Sequence, residues 1–127
     1  MKSLFLILFF FIFNINVSNA KWTWVAKNIN DTDFYVDMET IKKNEDLATV
    51  WELVDNQTVE GYGSSKNFVQ YNCENYMFRP LRKIAYHEKM GTGKIKSETN
   101  DPLEWRPIKF NVAINKIFKI VCRLYKN

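Results

Sequence analysis

Cys73 and Cys122 are the residues of this chain best suited to chemistry: they are its only cysteines, and a thiol pair can close a covalent bond, hold a metal or attack a substrate. Zinc takes about four ligands, and beside the two cysteines there is one histidine, His87, at no paired ligand spacing. A covalent bond is the better use of the pair. Gly91-Thr92-Gly93-Lys94 ends like a phosphate-binding loop, but Glu88 stands where that motif needs its first glycine and Ile95 where it needs Ser or Thr. It reads as a turn. His87 has no Ser, Cys or carboxylate tied to it by a local pattern of general-base or nucleophilic catalysis, so it reads as a surface histidine. Asp31, Asp33 and Asp37 cluster without the Gly and Glu positions of a calcium loop and read as turn-forming, solubilising residues. Enzymatic chemistry has no positive support, and the expectation is no catalysis, no cofactor and no metal.

The first twenty residues set the compartment in which the thiols would meet. Lys2 gives a minimal positive start, Leu4 to Phe13 form an almost unbroken apolar run, and Val17-Ser18-Asn19-Ala20 closes with small residues where a signal peptidase reads. Residues 1–20 are expected to be a cleavable signal peptide and residues 21–127 one domain. A retained anchor is the alternative, but the run falls short of the roughly 20 residues a helix needs to cross a bilayer. Export to an oxidising compartment makes a Cys73–Cys122 disulfide the expectation. The formal charge of +4 drops to near +3 once Lys2 is removed. Interspersed charges of both signs describe a solubilised surface better than the clustered Lys and Arg of a nucleic-acid footprint, so no nucleic acid is expected.

Short apolar and aromatic runs between turn residues predict an antiparallel sheet over the first two thirds of the mature chain. Trp22, Trp24 and Ala26 alternate against Thr23, Val25 and Lys27 in a first strand. Phe34-Tyr35-Val36 forms a second, ending at Asp37, and Met38 to Asp46 is expected to be a polar connection anchored by Ile41. Leu47 to Val54 gives a third strand. Gly61 to Cys73 gives a fourth, with Val69, Tyr71 and Cys73 on one face. Tyr76 to Met90 is expected to be a long fifth strand, with Phe78, Ile84, Tyr86 and the exceptional Arg82 on one side and Arg79, Lys83, His87 and Lys89 on the other. Met90-Gly91-Thr92-Gly93 is a turn, a short sixth strand starts near Lys94, and Glu104 to Ile108 is a last extended piece. From Asn111, a suitable N-cap, the apolar residues recur at helical steps: Val112 or Ala113, Ile117, Ile120, Val121, Leu124, flanked by Phe118, Cys122 and Tyr125. A helix bonded through Cys122 to a strand cysteine would be pinned onto the sheet, in an α+β domain of about six strands.

Aromatic residues make up 16% of the chain. Trp51, among apolar strand neighbours, reads as core, whereas Trp22 lies close enough to the new N-terminus to be available to a partner. The candidate binding surface is the basic side of the fifth strand, Arg79, Lys83, His87 and Lys89, with Lys94 and Lys96 just past the turn. It would attract anionic host or envelope components. A plain solvated sheet face is the competing reading.

In order and spacing the chain resembles the surface-adhesin protein E family of exported bacterial proteins. The residues that carry the resemblance are Trp24-Val25, Tyr35-Val36-Asp37 with Ile41, Val50-Trp51 with Leu53, Ser65-Lys66, Asn72-Cys73, Tyr86, Met90-Gly91 with Gly93, Trp105 with Ile108, and Cys122. The resemblance implies a curved antiparallel sheet with the C-terminal helix tethered to it by the disulfide. It also implies adhesion, since the family takes its name from a surface lipoprotein that attaches bacteria to epithelial cells and to matrix or serum proteins. Lys21, not cysteine, follows the expected cleavage site, so the usual bacterial lipid anchor is not expected. The expectation is an exported, adhesin-like module with a protein partner and no membrane span after cleavage, located at the cell surface or in the periplasm. The alternative is a periplasmic accessory module with an envelope partner.

Overall fold

Six strands lie side by side in chain order, each antiparallel to the next: β1 (Trp22–Lys27), β2 (Asp33–Asn44), β3 (Leu47–Asp55), β4 (Ser64–Asn72), β5 (Met77–Tyr86) and β6 (Ile95–Thr99). The two-residue β7 (Arg106–Pro107) pairs with the start of β5, on the edge whose far end is taken by β6. Helix α1 (Val112–Arg123) follows. This computed structural model describes residues 20–57, 60–108 and 111–123. The apolar leader up to Asn19, and Leu124 and Tyr125 of the expected helical stripe, lie outside them.

Two strands differ from expectation, each for a local reason. The segment expected to be a connection from Met38 to Asp46 is strand as far as Asn44, followed by a tight turn through Glu45 and Asp46. Side chains stand in for ladder bonds where register slips between Asp37 and Lys42: the Trp51 amide donates to Thr40 Oγ1 at 3.0 Å, and that hydroxyl donates to the Asp37 carbonyl at 2.7 Å. Polar residues thereby continue an extended strand that apolar patterning does not announce. Ile41 is buried, as its anchoring role required. The fifth strand, in contrast, stops at Tyr86. His87 to Lys94 form a hairpin in which the His87 amide donates to the Lys94 carbonyl at 3.0 Å, and a 3-10 turn over Lys89–Gly91 folds back onto the sheet. Gly91 and Gly93 take φ of +67° and +78°, which glycine adopts without a Cβ clash.

The core lies between α1 and one sheet face. Ala26, Phe34, Val36, Ala48, Val50, Val69 and Tyr71 meet Ala113, Ile114, Ile117, Phe118, Val121 and Cys122, whose three- and four-residue steps line one side of the helix. Asn111 is the N-cap: its Oδ1 accepts from the Ile114 amide at 3.0 Å. Cys73, just past β4, is bonded to Cys122 with a Cα–Cα distance of 5.6 Å, so the last turn of α1 is fixed to the sheet. Among the described residues, one carboxyl group lies in this apolar layer. Glu52 is fully buried, and burial pushes its carboxyl up to about 8, with the hydrogen bond from the Tyr71 hydroxyl acting in the opposite direction.

The hairpin that follows β5 depends on a missing side chain. A Cβ on Gly63 would come within 2.4 Å of the Glu88 backbone, which cannot swing away as a flexible side chain could. Gly63→Ala is therefore expected to destabilise the fold by roughly 1–3 kcal/mol, read as a lower urea midpoint. An unchanged midpoint would show that the hairpin is free to lift.

Candidate functional site

Cross-strand register decides which side chains share a surface, and a bulge in β5 changes the grouping. Phe68 pairs with Arg82 and Val69 with Pro80, leaving Leu81 opposite no residue. Alternation inverts at Leu81, so Arg79 shares the helix-free face with Arg82, Ile84 and Tyr86, while Lys83 belongs to the core face with Phe78, Pro80 and Ala85. This corrects the expectation that Arg79 and Lys83 point the same way.

The six basic-surface residues fall into three places. Arg79 lies on the helix-free face, its guanidinium 4.6 Å from the Trp105 ring centroid and its Nε donating to Gln70 Oε1 at 2.8 Å. Lys83 and Lys96 converge on Tyr62: Lys83 Nζ donates to the Tyr62 hydroxyl at 2.5 Å, and Lys96 Nζ is 6.0 Å from the ring centroid and donates to the Gly61 carbonyl at 2.5 Å. Burial and the adjoining Glu60 carboxylate push the Tyr62 phenol well up, so it remains a neutral hydroxyl at physiological pH. His87, Lys89 and Lys94 are exposed on the hairpin beyond β5. They do not form one basic strand face.

The helix-free face holds a different set of residues. Trp22, Asp37, Trp51, Phe68 and Arg82 form one cross-strand row, and Trp24, Tyr35, Leu53, Lys66 and Ile84 the next. Trp51 stacks on Phe68 with ring centroids 5.2 Å apart, and Arg82 reaches over the Trp51 ring at 5.9 Å. Lys66 lies 5.3 Å from the Tyr86 centroid. Trp51 is thus half-buried on this face and not in the core, because odd-numbered residues of β3 point away from α1. Trp22 is half-buried beside it, and Trp24 is 54% exposed, its indole donating to Asp33 Oδ1 at 2.9 Å. The rings and cations surround a groove of about 330 Å³ bordered by Asp37 and Thr40.

Arg82 is the most constrained cation of this face. It pairs with Glu98 on β6, yet its Nε is buried without a hydrogen bond. The sequence pattern makes Arg82 a lone exception on an apolar side, names Lys66 only as part of the family resemblance, and does not mark Phe68. Their alternation along β4 carries the signal, since positions 66, 68 and 70 share one face of the strand. Stacked aromatics with guanidinium and ammonium groups over them form a platform for carboxylates, aromatic rings or peptide planes. Among the described residues, no group of acids, His or Cys could hold a metal ion, and no helix is long and apolar enough to cross a membrane.

Comparisons with known proteins agree with this architecture. Crystal form II of Haemophilus influenzae protein E is 18% identical, with a TM-score of 0.63 over 84% of this chain and 91% of that one. A second structure of Haemophilus influenzae protein E, also 18% identical, gives 0.60 over 84% and 87%. Protein E from non-typeable Haemophilus influenzae is 17% identical and gives 0.58 over 84% and 78%. At these identities the likeness establishes the fold. No curated protein matches the chain. The family described as Surface-adhesin protein E matches residues 22–123, most of the chain, and the chain therefore belongs to the surface-adhesin protein E family.

Proposed function

We propose that the chain is an exported, adhesin-like module that binds a protein of the host matrix or serum through the helix-free face of its sheet. The observation that carries this reading is the row of Trp22, Trp51, Phe68 and Arg82, half-buried aromatics and a guanidinium on the side of the sheet away from α1. Aromatic residues and arginine are the types that dominate binding energy at protein interfaces. Family membership supports adhesion, and the disulfide fits an extracytoplasmic protein. In this reading residues 1–20 are removed on export and residues 21–127 act as the binding domain.

Immobilised matrix and serum proteins probed with residues 21–127 test the reading. Arg79→Glu with Arg82→Glu is expected to weaken binding by roughly tenfold or more, with salt weakening the wild type in the same direction. Charge reversal at Lys89 and Lys94 on the hairpin is expected to change it little. Wild-type affinity in the Arg79/Arg82 variant would reject the helix-free face. Protease treatment of intact cells separates the surface location from the alternative, a periplasmic module with an envelope partner: an adhesin is lost, whereas a periplasmic protein survives with a periplasmic control.

A further inference from the structure

On the core side, α1 covers only part of the sheet's width. Near the start of the helix a cleft of about 400 Å³ opens between β5, the 99–106 segment and Ile114, inside the range of roughly 300–1,000 Å³ for small-molecule sites. Val54, Val69, Phe78, Pro80, Leu103 and Ile114 give it apolar walls. Glu52 is the buried polar group in its lining. Both its carboxyl oxygens face the Tyr71 hydroxyl, at 3.0 and 3.1 Å, and among the described residues no cation pairs with it. Lys83, Asp101 and Arg106 also line the cleft. Arg106 is exposed, and its guanidinium makes no ion pair or hydrogen bond among the described residues, so a cation stands free beside an apolar cavity.

We propose that this cleft binds an amphiphile with a single anionic head group, its hydrocarbon body against Val54, Val69 and Ile114 and its carboxylate or phosphate at Arg106 and Lys83. Of the three lining cations Arg82 is paired with Glu98, and Arg106 with Lys83, whose ammonium keeps donors beyond the one given to the Tyr62 hydroxyl, outnumbers Asp101, which favours an anionic head over a cationic one. An ionised Glu52 would oppose both an apolar tail and an anion, but its burial favours the protonated, uncharged carboxyl at neutral pH. The other charged and titratable groups around the cleft are Tyr71 from β4, Arg82 and Lys83 from β5, and Asp101 and Arg106 from the segment that follows β6; α1 contributes only the apolar Ile114. The cleft shares Arg82 with the helix-free face, but its apolar walls and its head-group cations, Arg106 and Lys83, do not border the groove on that face, so the proposal stands whether or not that face binds a host protein.

Methyl NMR of residues 21–127 titrated with dodecanoate, dodecyl phosphate and dodecyltrimethylammonium tests it. The expected result is saturable shifts of the Val54, Val69 and Ile114 methyls with an anionic probe, the tighter of the two identifying the head group. Dodecyltrimethylammonium is expected to bind about tenfold more weakly, and Arg106→Glu, a substitution of an exposed side chain, to weaken the anionic probe by about the same factor without changing the free protein's spectrum. Absent shifts, shifts centred on the helix-free face, or equal binding of the cationic probe would overturn the proposal.

Discussion

Serine at both Cys73 and Cys122 is expected to lower the unfolding free energy by about 4 kcal/mol, as is reduction of the wild-type protein. The two residues are 49 apart in sequence, so the bond closes a long loop and removes a large share of the unfolded chain's entropy. Against the roughly 5–15 kcal/mol by which domains are stable, that is a decisive fraction. The loss should be concentrated in α1. The helix has only its own apolar stripe to hold it to the sheet, and Cys122, in its last turn, is the covalent tie to the turn after β4, where the Cys73 amide donates to the Asp46 carbonyl at 2.7 Å. Urea unfolding with and without reductant, followed by helical circular dichroism, measures this. Coincident curves would mean that packing alone fixes the helix.

Raising the pH from about 4.5 to 8 is expected to weaken the fold by on the order of 4 kcal/mol, through Glu52 alone. Its carboxyl titrates near 4.5 when unfolded and is pushed up to about 8 by burial in the native state. Below 4.5 it is protonated in both states, and burial carries no ionisation penalty. Between the two values the unfolded chain releases the proton and the folded chain retains it, so stability declines through that window and levels off above it. Glu52→Gln preserves an acceptor for the Tyr71 hydroxyl and has no proton to lose. It should flatten the slope and be more stable than wild type at pH 8.5, as read by unfolding at pH 5 and pH 8.5. Parallel pH profiles for the two proteins would exclude Glu52 as the source.

Features that depend on nearest neighbours were legible in the sequence. Asn111 caps α1, the apolar steps from Ala113 to Cys122 face the sheet, the Gly91-Thr92-Gly93 turn closes a hairpin, and Val69 and Tyr71 lie on the face that leads to Cys73. Each follows from a helical or two-residue period, or from a turn requirement satisfied within a few positions. Glu52 escaped notice because a carboxylate in a strand has the composition of a solvent-facing residue. Only the neighbours brought over it by β4 and α1 bury it.

An antiparallel sheet with a C-terminal helix, two cysteines placed to join them, and a family pattern over residues 22–123 can be read from residue order alone. Which side chains stand together as a surface follows only from strand pairing. Period-two alternation is a local rule, and one unpaired residue inverts it for the rest of the strand. Leu81 does this in β5 and Val25 in β1, where Trp24 pairs with Tyr35 and Ala26 with Phe34. A bulge is fixed by hydrogen bonds to the neighbouring strand, so the separation of Arg79 from Lys83, and the meeting of Trp22, Trp51 and Arg82 in one row, exist only once the strands have paired.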